Sequence, residues 1–410
     1  MFLAPAQIWY FKEMKRVHAI TLGCKINQAE TDDLIARLGL ARVPANGEAD
    51  LVLVNTCTVT MEADKQSRQL VRRFLNRGCP VVVTGCSAAV HPETFEELGA
   101  TVVPKERLIE TIETLLGPSS PALSLSSKNR TRGFLKVSEG CTNGCTYCIV
   151  PAARGAECHR PLSDLLEPVE RFSQAHLQEV VLAGTRLGAH PDLPQIVRGL
   201  IERFPSIPRW RLSSIEPMDL TPAILALFEH PRVCPSLHLP LQSGSDRILA
   251  RMNRRYSREE YLRTSKSLKE KLTLTTDLIV GFPGESDEDF EQSLEVLETC
   301  GFASVHAFPF SPRPGTPAAS LPPVDPRIVH ERLARVLETS GKLRQHWLEG
   351  WVGKEVDVLV ERVRDPLRRT GLTPHYLRVA WEDQDHRQGE LVRIRIERAD
   401  GDGVWGESIS

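Results

Sequence analysis

The chain has no apolar run long enough to cross a membrane and almost no net charge. A membrane-spanning helix needs about 20 consecutive apolar residues, and no stretch of this sequence approaches that length. Its 51 Lys and Arg nearly balance 53 Asp and Glu, so the net charge of −2 favours no class of charged partner. These absences argue against a transmembrane protein and predict a cytoplasmic protein that does not bind membranes.

The N-terminus is not typical of a signal peptide. The apolar N-terminus has neither a basic start nor a small-residue cleavage site, and Met14 offers an alternative start that would make the preceding residues dispensable. Without secretion, ten cysteines do not indicate a disulfide framework; in a reducing compartment they favour metal binding or catalysis. Arginine runs, such as that at Arg251, Arg254 and Arg255, predict solvated surface.

The hydrophobic pattern divides the 410 residues into three regions, because a chain of this length exceeds one ordinary core. Residues 15–117 alternate apolar strands with helices, which predicts an open parallel α/β domain. After a Pro/Ser-rich linker at Gly117–Ser127, residues 130–340 repeat the alternation and predict a partial (β/α)6 barrel with its site at the carboxyl ends of the strands. Residues 345–410 predict a small antiparallel β-barrel. The predicted fold class is α/β.

Individual elements follow from the same pattern. The first region has predicted strands at His18–Leu22, Leu51–Asn55 and Val81–Thr84, and predicted helices at Asn27–Leu38 and Ala63–Asn76. The second has predicted strands at Gly133–Val137, Glu179–Ala183, Arg209–Ser213, Ser236–Leu239, Thr275–Val280 and Ser304–Phe308. The third has predicted strands at Glu355–Val360, His375–Ala380 and Leu391–Ile396.

Three cysteines share one predicted loop with the spacing C-x3-C-x2-C. Cys141, Cys145 and Cys148 directly follow the first strand of the second region. Three thiolates on one loop can bind three irons of a cubane cluster and leave the fourth iron open to a substrate or cofactor, like the open position of a catalytic zinc. A structural zinc site is the alternative, and Cys158 or His159 would then supply a fourth ligand.

The segment KVSEGCTNGCTYCIVPAARG resembles the cluster loop of radical S-adenosylmethionine (SAM) enzymes, including the aromatic Tyr147 before the last cysteine. It is most similar to that of the methylthiotransferases. The resemblance implies that Cys141, Cys145 and Cys148 are catalytic and hold a 4Fe–4S cluster. Its open iron binds the amino and carboxylate groups of SAM, which is then cleaved to a 5′-deoxyadenosyl radical.

Three further cysteines are far apart in sequence, yet each follows the carboxyl end of a predicted parallel strand. Cys24, Cys57 and Cys86 lie in TLGCKINQ, VNTCTVT and VTGCSAA. Loops after parallel strands gather on one edge of a sheet, where ligands bind, so the three thiols are candidates for a shared site. Buried structural cysteines are the alternative. Cys79 precedes its strand and belongs on the opposite edge.

These three segments resemble the N-terminal domain of the same family, in which three such cysteines hold a second 4Fe–4S cluster with one free iron, implicated in sulfur delivery. The pattern TLGCK-x-NQ resembles the branch that acts on N6-threonylcarbamoyladenosine in tRNA. The branch that acts on isopentenyladenosine tends to carry Gln-Met-Asn after the first cysteine.

Further candidate contacts to SAM or substrate lie at the ends of the barrel strands. In VVLAGTRLG, Gly184 fits a contact to the methionine amino group, whereas Thr185 and Arg186 depart from the family pattern. In RLSSIEP, Ser214 and Glu216 would face the cofactor at the barrel mouth, although Glu216 would serve equally as a helix cap.

The segments HLPLQSGSD and TTDLIVGFPGES also match the family. His238 and Gln242 are candidate contacts, and a structural role is the alternative for a histidine at a strand end. Gly281 allows close backbone approach to the adenosyl group, or merely a tight turn. The complete set of predicted cofactor contacts is Tyr147, Gly184, Ser214, Glu216, His238, Gln242 and Gly281.

The segment RRTGLTPHYLRV resembles the TRAM domain, a small RNA-binding β-barrel. Barrels of this kind bind nucleic acid through basic and aromatic groups on an exposed face. Residues 351–410 contain ten Lys and Arg against twelve Asp and Glu, so RNA binding requires a local face rather than net charge. The candidates for that face are Arg368, Arg369, His375, Tyr376 and Arg378.

Together these features predict a radical SAM tRNA methylthiotransferase that modifies C2 of N6-threonylcarbamoyladenosine next to the anticodon. One SAM would supply the methyl group and another the radical; the sulfur and electron donors are not identified by the sequence. No side-chain base can usefully deprotonate that carbon, and a radical avoids the need. The alternatives are the same chemistry on isopentenyladenosine tRNA or a ribosomal-protein aspartate, and a non-catalytic iron–sulfur or zinc protein that binds RNA.

Overall fold

The computed structural model describes residues 15–117, 131–361, 365, 367–383 and 385–409. All but the first residue of the predicted linker Gly117–Ser127, and the residues up to Met14, lie outside the described residues. None of the described helices is both long and apolar enough to cross a membrane.

The N-terminal region is a five-stranded parallel sheet with the order β2-β1-β3-β4-β5. Its central strand β3 is buried at every position, as expected for a parallel strand covered on both faces. The strands are β1 (Arg16–Thr21), β2 (Ala41–Arg42), β3 (Leu51–Thr56), β4 (Val81–Gly85) and β5 (Thr101–Val102), and the helices are α1 (Lys25–Arg37), α2 (Met61–Leu75), α3 (Cys86–Val90), α4 (Pro92–Glu96) and α5 (Leu108–Leu116).

The central region contains all six predicted strands and one short antiparallel strand, β7. The strands are β6 (Arg132–Glu139), β7 (Cys158–His159), β8 (Glu179–Gly184), β9 (Arg209–Leu212), β10 (Ser236–His238), β11 (Thr273–Val280) and β12 (Ser304–Pro309). The helices are α6 (Val150–Arg154), α7 (Leu162–Gln174), α8 (Leu193–Arg203), α9 (Pro222–Leu225), α10 (Asp246–Arg251), α11 (Arg258–Leu268), α12 (Asp287–Cys300) and α13 (Pro326–Glu349).

These strands form the predicted open, partial barrel. One sheet has the order β7-β6-β8-β9 and the other the order β10-β11-β12, and a parallel bridge between Trp210 and Val233 joins them. Six consecutive parallel strands therefore present their carboxyl ends on one side, and one continuous apolar core fills the space between strands and helices. The α/β fold class is confirmed.

The C-terminal region is a closed five-stranded barrel with the order β13-β14-β15-β17-β16, in which only β15 and β17 pair in parallel. The prediction missed two strands and misplaced one start. Residues 373–377 form a turn in which Tyr376 has a positive φ of 59°, so the strand predicted at His375–Ala380 begins later. The strands are β13 (Glu355–Val360), β14 (Arg368–Leu372), β15 (Arg378–Glu382), β16 (Leu391–Asp400) and β17 (Gly403–Ser408).

A buried arginine ties this barrel to the central region. Arg211 of β9 pairs with Glu179 at 2.8 Å and donates to the carbonyl oxygens of Thr373 (3.2 Å) and Pro374 (2.8 Å). Its guanidinium also lies 3.8 Å from the ring centroid of Tyr376. The turn at residues 373–377 is therefore a docking element between the two regions.

Candidate cysteine centres and their surroundings

The first group of thiols lies on the loop between β6 and α6. The backbone N–H of Asn143 lies 3.5 Å from Cys141 Sγ. Burial, together with the neighbouring Cys145 and Cys141, raises the pKa of Cys148 to about 12. The backbone N–H of Cys148 donates to the carbonyl of Cys145 (3.1 Å), so these two cysteines lie on one tight turn. We call Cys141, Cys145 and Cys148 the loop centre.

The loop is anchored to the end of α10. The backbone N–H of Thr146 donates to the carbonyl of Met252 (3.1 Å), and its hydroxyl donates to the carbonyl of Arg251 (2.8 Å). The side chain of Asn253 donates to the carbonyl of Gly144 (2.9 Å). These contacts fix the loop backbone, and with it the positions of the three sulfur atoms.

A buried arginine faces the loop centre: of the run predicted to be solvated surface, Arg251 and Arg255 are exposed, but the side chain of Arg254 is buried. Arg254 Nη1 lies 3.4 Å from Cys145 Sγ, Nη2 pairs with the Glu216 carboxylate, and Nε donates to the Tyr256 hydroxyl (3.1 Å). Burial raises the pKa of Glu216, an effect that Arg254 opposes. Glu216 therefore reaches the cysteine loop through Arg254. It precedes the short helical turn Pro217–Asp219, but its side chain makes no capping hydrogen bond there.

Unpaired polar groups cluster where the first barrel strands end. The hydroxyls of Ser138, Thr185 and Ser213 are buried and have no hydrogen-bond partner among the described residues. A Cβ at Gly184 would lie 2.2 Å from Ser138 Oγ, so glycine is required where β6 and β8 end side by side. Buried hydroxyls without partners are costly, and these three fit a polar ligand lying across the strand ends.

Arg186 makes internal ion pairs. It forms a double contact with Asp219 (2.8 and 2.5 Å) and a single one with Glu157 (3.1 Å). The same Glu157 carboxylate accepts from the backbone N–H of Thr142 on the cysteine loop (3.3 Å). Arg186, which departs from the family pattern, is therefore linked through Glu157 to the backbone of the cysteine loop.

His238 lies at the end of β10 with both ring nitrogens engaged. Nδ1 is 2.9 Å from Thr275 Oγ1, and Nε2 is 3.1 Å from Asp277 Oδ2. The ring centroid of His306, on the last strand, is 5.9 Å away. Ser214 is exposed on the loop after β9. These side chains are polar groups at the mouth of the barrel.

Three other predicted contacts have evident packing roles. Gln242 has a positive φ of 63° and joins its backbone to that of β11. Gly281 has a φ of 72°, and a Cβ there would lie 2.4 Å from Val329 of α13, which favours the tight turn over approach to a ligand. The Tyr147 ring packs edge-on against Phe282, with 6.5 Å between centroids.

The second group of thiols is assembled from three strand ends. Cys24 follows β1, Cys57 follows β3 and Cys86 follows β4. Cys24 Sγ and Cys86 Sγ each lie 3.9 Å from Asn27 Oδ1, and a Cβ at Gly23 would lie 2.5 Å from Cys57 Sγ. Burial, followed by Cys86 and Cys24, raises the pKa of Cys57 to about 11. We call Cys24, Cys57 and Cys86 the strand-end centre.

Asn27 organises the strand-end centre from within. Its side-chain amide is fully buried and donates to the carbonyl oxygens of Leu22 and Thr56, both at 2.9 Å. These bonds hold the ends of β1 and β3 together and point Oδ1 towards the thiols. Cys79 lies before β4, on the opposite edge of the sheet.

Arg154 reaches the strand-end centre from the helix that follows the loop centre. It ends α6, the helix that follows the loop centre, and its Nε lies 3.2 Å from Cys86 Sγ. Among the described residues, no group of three or more His, Cys, Asp or Glu surrounds a position for a single metal ion. A four-iron cubane distributes its thiolates over separate irons, so its ligands do not need to surround one position.

Much of the predicted RNA face is turned inwards. His375 Nδ1 lies 3.0 Å from Thr273 Oγ1, and Tyr376 stacks on Arg211. Arg369 is buried and donates to the carbonyl of His386 (2.7 Å). His375 and Tyr376 thus dock the C-terminal barrel, because the turn at residues 373–377 faces the central region, and Arg369 holds the barrel itself together. Arg368 and Arg378 remain exposed.

Comparison with known proteins agrees with this architecture. The model of the Radical SAM superfamily matches residues 135–297, and that of Uncharacterized protein family UPF0004 matches residues 16–103. A solved radical SAM methyltransferase, TsrM from Kitasatospora setae, aligns with a TM-score of 0.56 and 14% identity, covering 75% of this chain and 77% of that one. That likeness shows the fold alone.

Curated relatives align along nearly the whole chain. Threonylcarbamoyladenosine tRNA methylthiotransferase MtaB is 36% identical in Chlamydia pneumoniae (95% of this chain, 97% of the relative) and 34% identical in Thermotoga maritima (95% and 96%). A tRNA-2-methylthio-N(6)-dimethylallyladenosine synthase of Anaeromyxobacter sp. is 33% identical (96% and 94%).

Proposed function

Because this chain belongs to the radical SAM tRNA methylthiotransferase family, we propose that it adds a methylthio group to C2 of N6-threonylcarbamoyladenosine in tRNA. Relatives that carry this activity in their names are 30–36% identical over at least 92% of the chain. The adenosine is the one on the 3′ side of the anticodon, and it leaves the base stack to enter the barrel, as modified bases generally do. Such a reaction takes place in the cytoplasm.

The observation that carries the proposal is the pair of three-thiol centres, which α6 connects: this helix follows the loop centre, and its last residue, Arg154, contacts Cys86. The loop centre holds one 4Fe–4S cluster and the strand-end centre holds a second. Three protein thiolates leave one iron of each cubane open, whereas structural or electron-transfer sites normally use four protein ligands. The donor sets therefore fit two clusters that bind further ligands.

Bound at the loop centre, SAM and the cluster supply a radical that removes hydrogen from an unactivated carbon, chemistry that no side chain provides. The residues of the chain bind and orient. Ser138, Thr185 and Ser213 offer unpaired hydroxyls to polar groups of SAM, and the Arg254–Glu216 pair holds Cys145. The strand-end centre lies beside the loop centre and handles sulfur.

Lys25 supports the choice of nucleoside. It directly follows Cys24, and its ammonium lies 3.3 Å from the Tyr376 hydroxyl. Burial lowers the pKa of His306 on β12, Asp277 opposes this, and the charges of His238 and Lys25 lower it further. Within the described residues Lys25 has no carboxylate partner. A threonylcarbamoyl group carries a carboxylate that this charge would bind, whereas an isopentenyl group has none.

A basic and aromatic patch on the barrel supports tRNA as partner. The guanidinium groups of Arg368 and Arg398 lie 5.2 and 5.1 Å from the ring centroid of Trp405, and both arginines are exposed. Unpaired bases stack on aromatic rings, and arginines contact the backbone phosphates. We assign the anticodon loop to this patch in place of His375 and Tyr376.

Nucleoside mass spectrometry of bulk tRNA tests the proposal, in a host that lacks its own methylthiotransferases. We expect methylthio-threonylcarbamoyladenosine to accumulate with the wild-type protein and with Cys79→Ala, but not with Cys86→Ala. A gain on isopentenyladenosine instead would keep the chemistry and reject the substrate. No gain on any nucleoside, from protein with about eight irons per chain, would reject tRNA modification.

A further inference from the structure

Arg154 reaches from the central region into the strand-end centre and is almost completely buried, with its side chain 2% exposed. Its Nε lies 3.2 Å from Cys86 Sγ, and Nη2 donates to Asn27 Oδ1. Nη1 lies 2.7 Å from Glu139 and 3.1 Å from Glu30. Each nitrogen of the guanidinium is thus directed at a specific acceptor, and one of these acceptors is a cysteine sulfur.

The charges around Arg154 do not cancel. Lys105 contacts Glu30 (2.9 Å) and Glu139 (2.7 Å), and Lys136 contacts the same two carboxylates (3.0 and 2.7 Å). The network therefore contains three cations and two carboxylates, and both carboxylates are shared with the lysines. One positive charge remains, and the group that Arg154 meets beyond the carboxylates and Asn27 is the sulfur of Cys86.

We propose that Arg154 is a positioning residue of the strand-end centre: its N–H···S bond holds Cys86, and its charge raises the reduction potential of the cluster bound there. The inference rests on the second cluster put forward under Proposed function. Hydrogen bonds to the sulfurs and the net charge nearby set the potentials of iron–sulfur clusters. A fixed cation stabilises the reduced, more negative state, and arginine keeps its charge at any working pH.

Arg313 provides a matched control. It crosses the same boundary between regions with a side chain that is 3% exposed, and it pairs with Asp64 and with Thr58 Oγ1 (2.8 Å). Thr58 directly follows Cys57, so Arg313 contacts the residue next to a cysteine of the centre. Among the residues that the structure describes, none of its hydrogen bonds involves a cysteine sulfur. Loss of Arg313 weakens the same interface without removing an N–H···S bond.

The test uses the full chain with Cys141, Cys145 and Cys148 all replaced by Ala, so that only the strand-end centre can hold a cluster. After anaerobic reconstitution with iron and sulfide, iron is counted and the cluster is titrated with dithionite under electron paramagnetic resonance. In this background we expect R154Q to lower the reduced-to-oxidised ratio at a fixed potential at least tenfold, which is about 59 mV for one electron. R154K keeps a point charge but loses the fork geometry, so its midpoint potential is expected to lie between those of R154Q and the parent. R313Q is expected to have the parent's midpoint.

The outcomes separate the two proposals. A parent protein that binds no iron would reject the second cluster itself. Iron in the parent with the same midpoint in R154Q would overturn the role of Arg154 while leaving the cluster in place. An equal shift in R313Q would also overturn it, because the shift would then come from a loosened interface. If R154Q fails to retain iron, R154K decides: a lowered midpoint supports the role, and the parent's midpoint rejects it.

Discussion

The loop centre and the strand-end centre contain the same kinds of groups, but the chain brings these groups together differently in each. Each has three thiols, and each has a buried arginine close to one sulfur: Arg254 at 3.4 Å from Cys145 and Arg154 at 3.2 Å from Cys86. The loop centre occupies residues 141–148, whereas the strand-end centre collects ligands from residues 24–86. One site depends on a single anchored loop and the other on the whole parallel sheet.

This difference has a consequence for stability of the two sites. The chain itself keeps the thiols of the loop centre together, so we expect this centre to tolerate changes outside its own loop and its anchor at residues 251–253. The strand-end centre exists only while β1, β3 and β4 remain in register, with Asn27 joining two of their ends. We therefore expect the strand-end centre to be lost first when the fold is perturbed.

The largest expected effect distinguishes the two centres by the step of the reaction that each one supports. Cys148→Ala should abolish SAM cleavage, because the loop centre would lose a ligand. Cys86→Ala should retain cleavage to 5′-deoxyadenosine, measured by chromatography, but form no methylthio product. Methylthio product from Cys86→Ala would show that the strand-end centre does not handle sulfur.

A glycine pair tests the dependence on the sheet. Gly23→Ala would place a Cβ 2.5 Å from Cys57 Sγ at a φ of 86°, whereas Gly78→Ala has a similar φ of 75° and open space around it. Bound iron should fall from about eight to about four per chain in the first variant only. Equal losses in both would attribute the effect to backbone strain rather than to the site.

Lys25→Gln should lower activity moderately, and only on tRNA that carries the threonylcarbamoyl group. Hydrogen bonds to charged groups contribute about 1.5–3 kcal/mol, so kcat/KM for threonylcarbamoyl-bearing tRNA should fall roughly tenfold or more. Activity on tRNA that lacks the group should not change. Lys65→Gln, on the exposed face of α2, is the control. An unchanged ratio between the two substrates would remove Lys25 from recognition.

The smallest effect should come from the C-terminal barrel, which contains none of the six cysteines of the two centres. Trp405→Ala should weaken tRNA binding by about 1–3 kcal/mol, the contribution of one stacked base, with iron content unchanged. Arg393→Gln, an exposed arginine paired with Asp357, serves as control. Binding measured by fluorescence anisotropy at fixed salt would contradict the assignment if the two variants behaved alike.

Sequence alone identified the three cysteines of the loop centre directly, because they are neighbours and their spacing is local. It also reached the strand-end centre as a candidate, since parallel strands all deliver their following loops to one edge. The six barrel strands were also predicted, because apolar residues recur in each of them between turn residues, although β9 contains two arginines and β12 is largely exposed. The two strands β14 and β17 escaped prediction; β14 carries an arginine pair and a glycine, and β17 two glycines, in place of a clear alternation.

Residues that act through partners far along the chain were decided only by the tertiary structure. Arg154 meets Cys86 across 68 positions and Arg254 meets Cys145 across 109, and an arginine run in the sequence gave no sign of burial. Tyr376 was expected on an RNA face but stacks on Arg211. Local spacing encodes which groups can bind a cluster; which charges surround it depends on how separate elements pack.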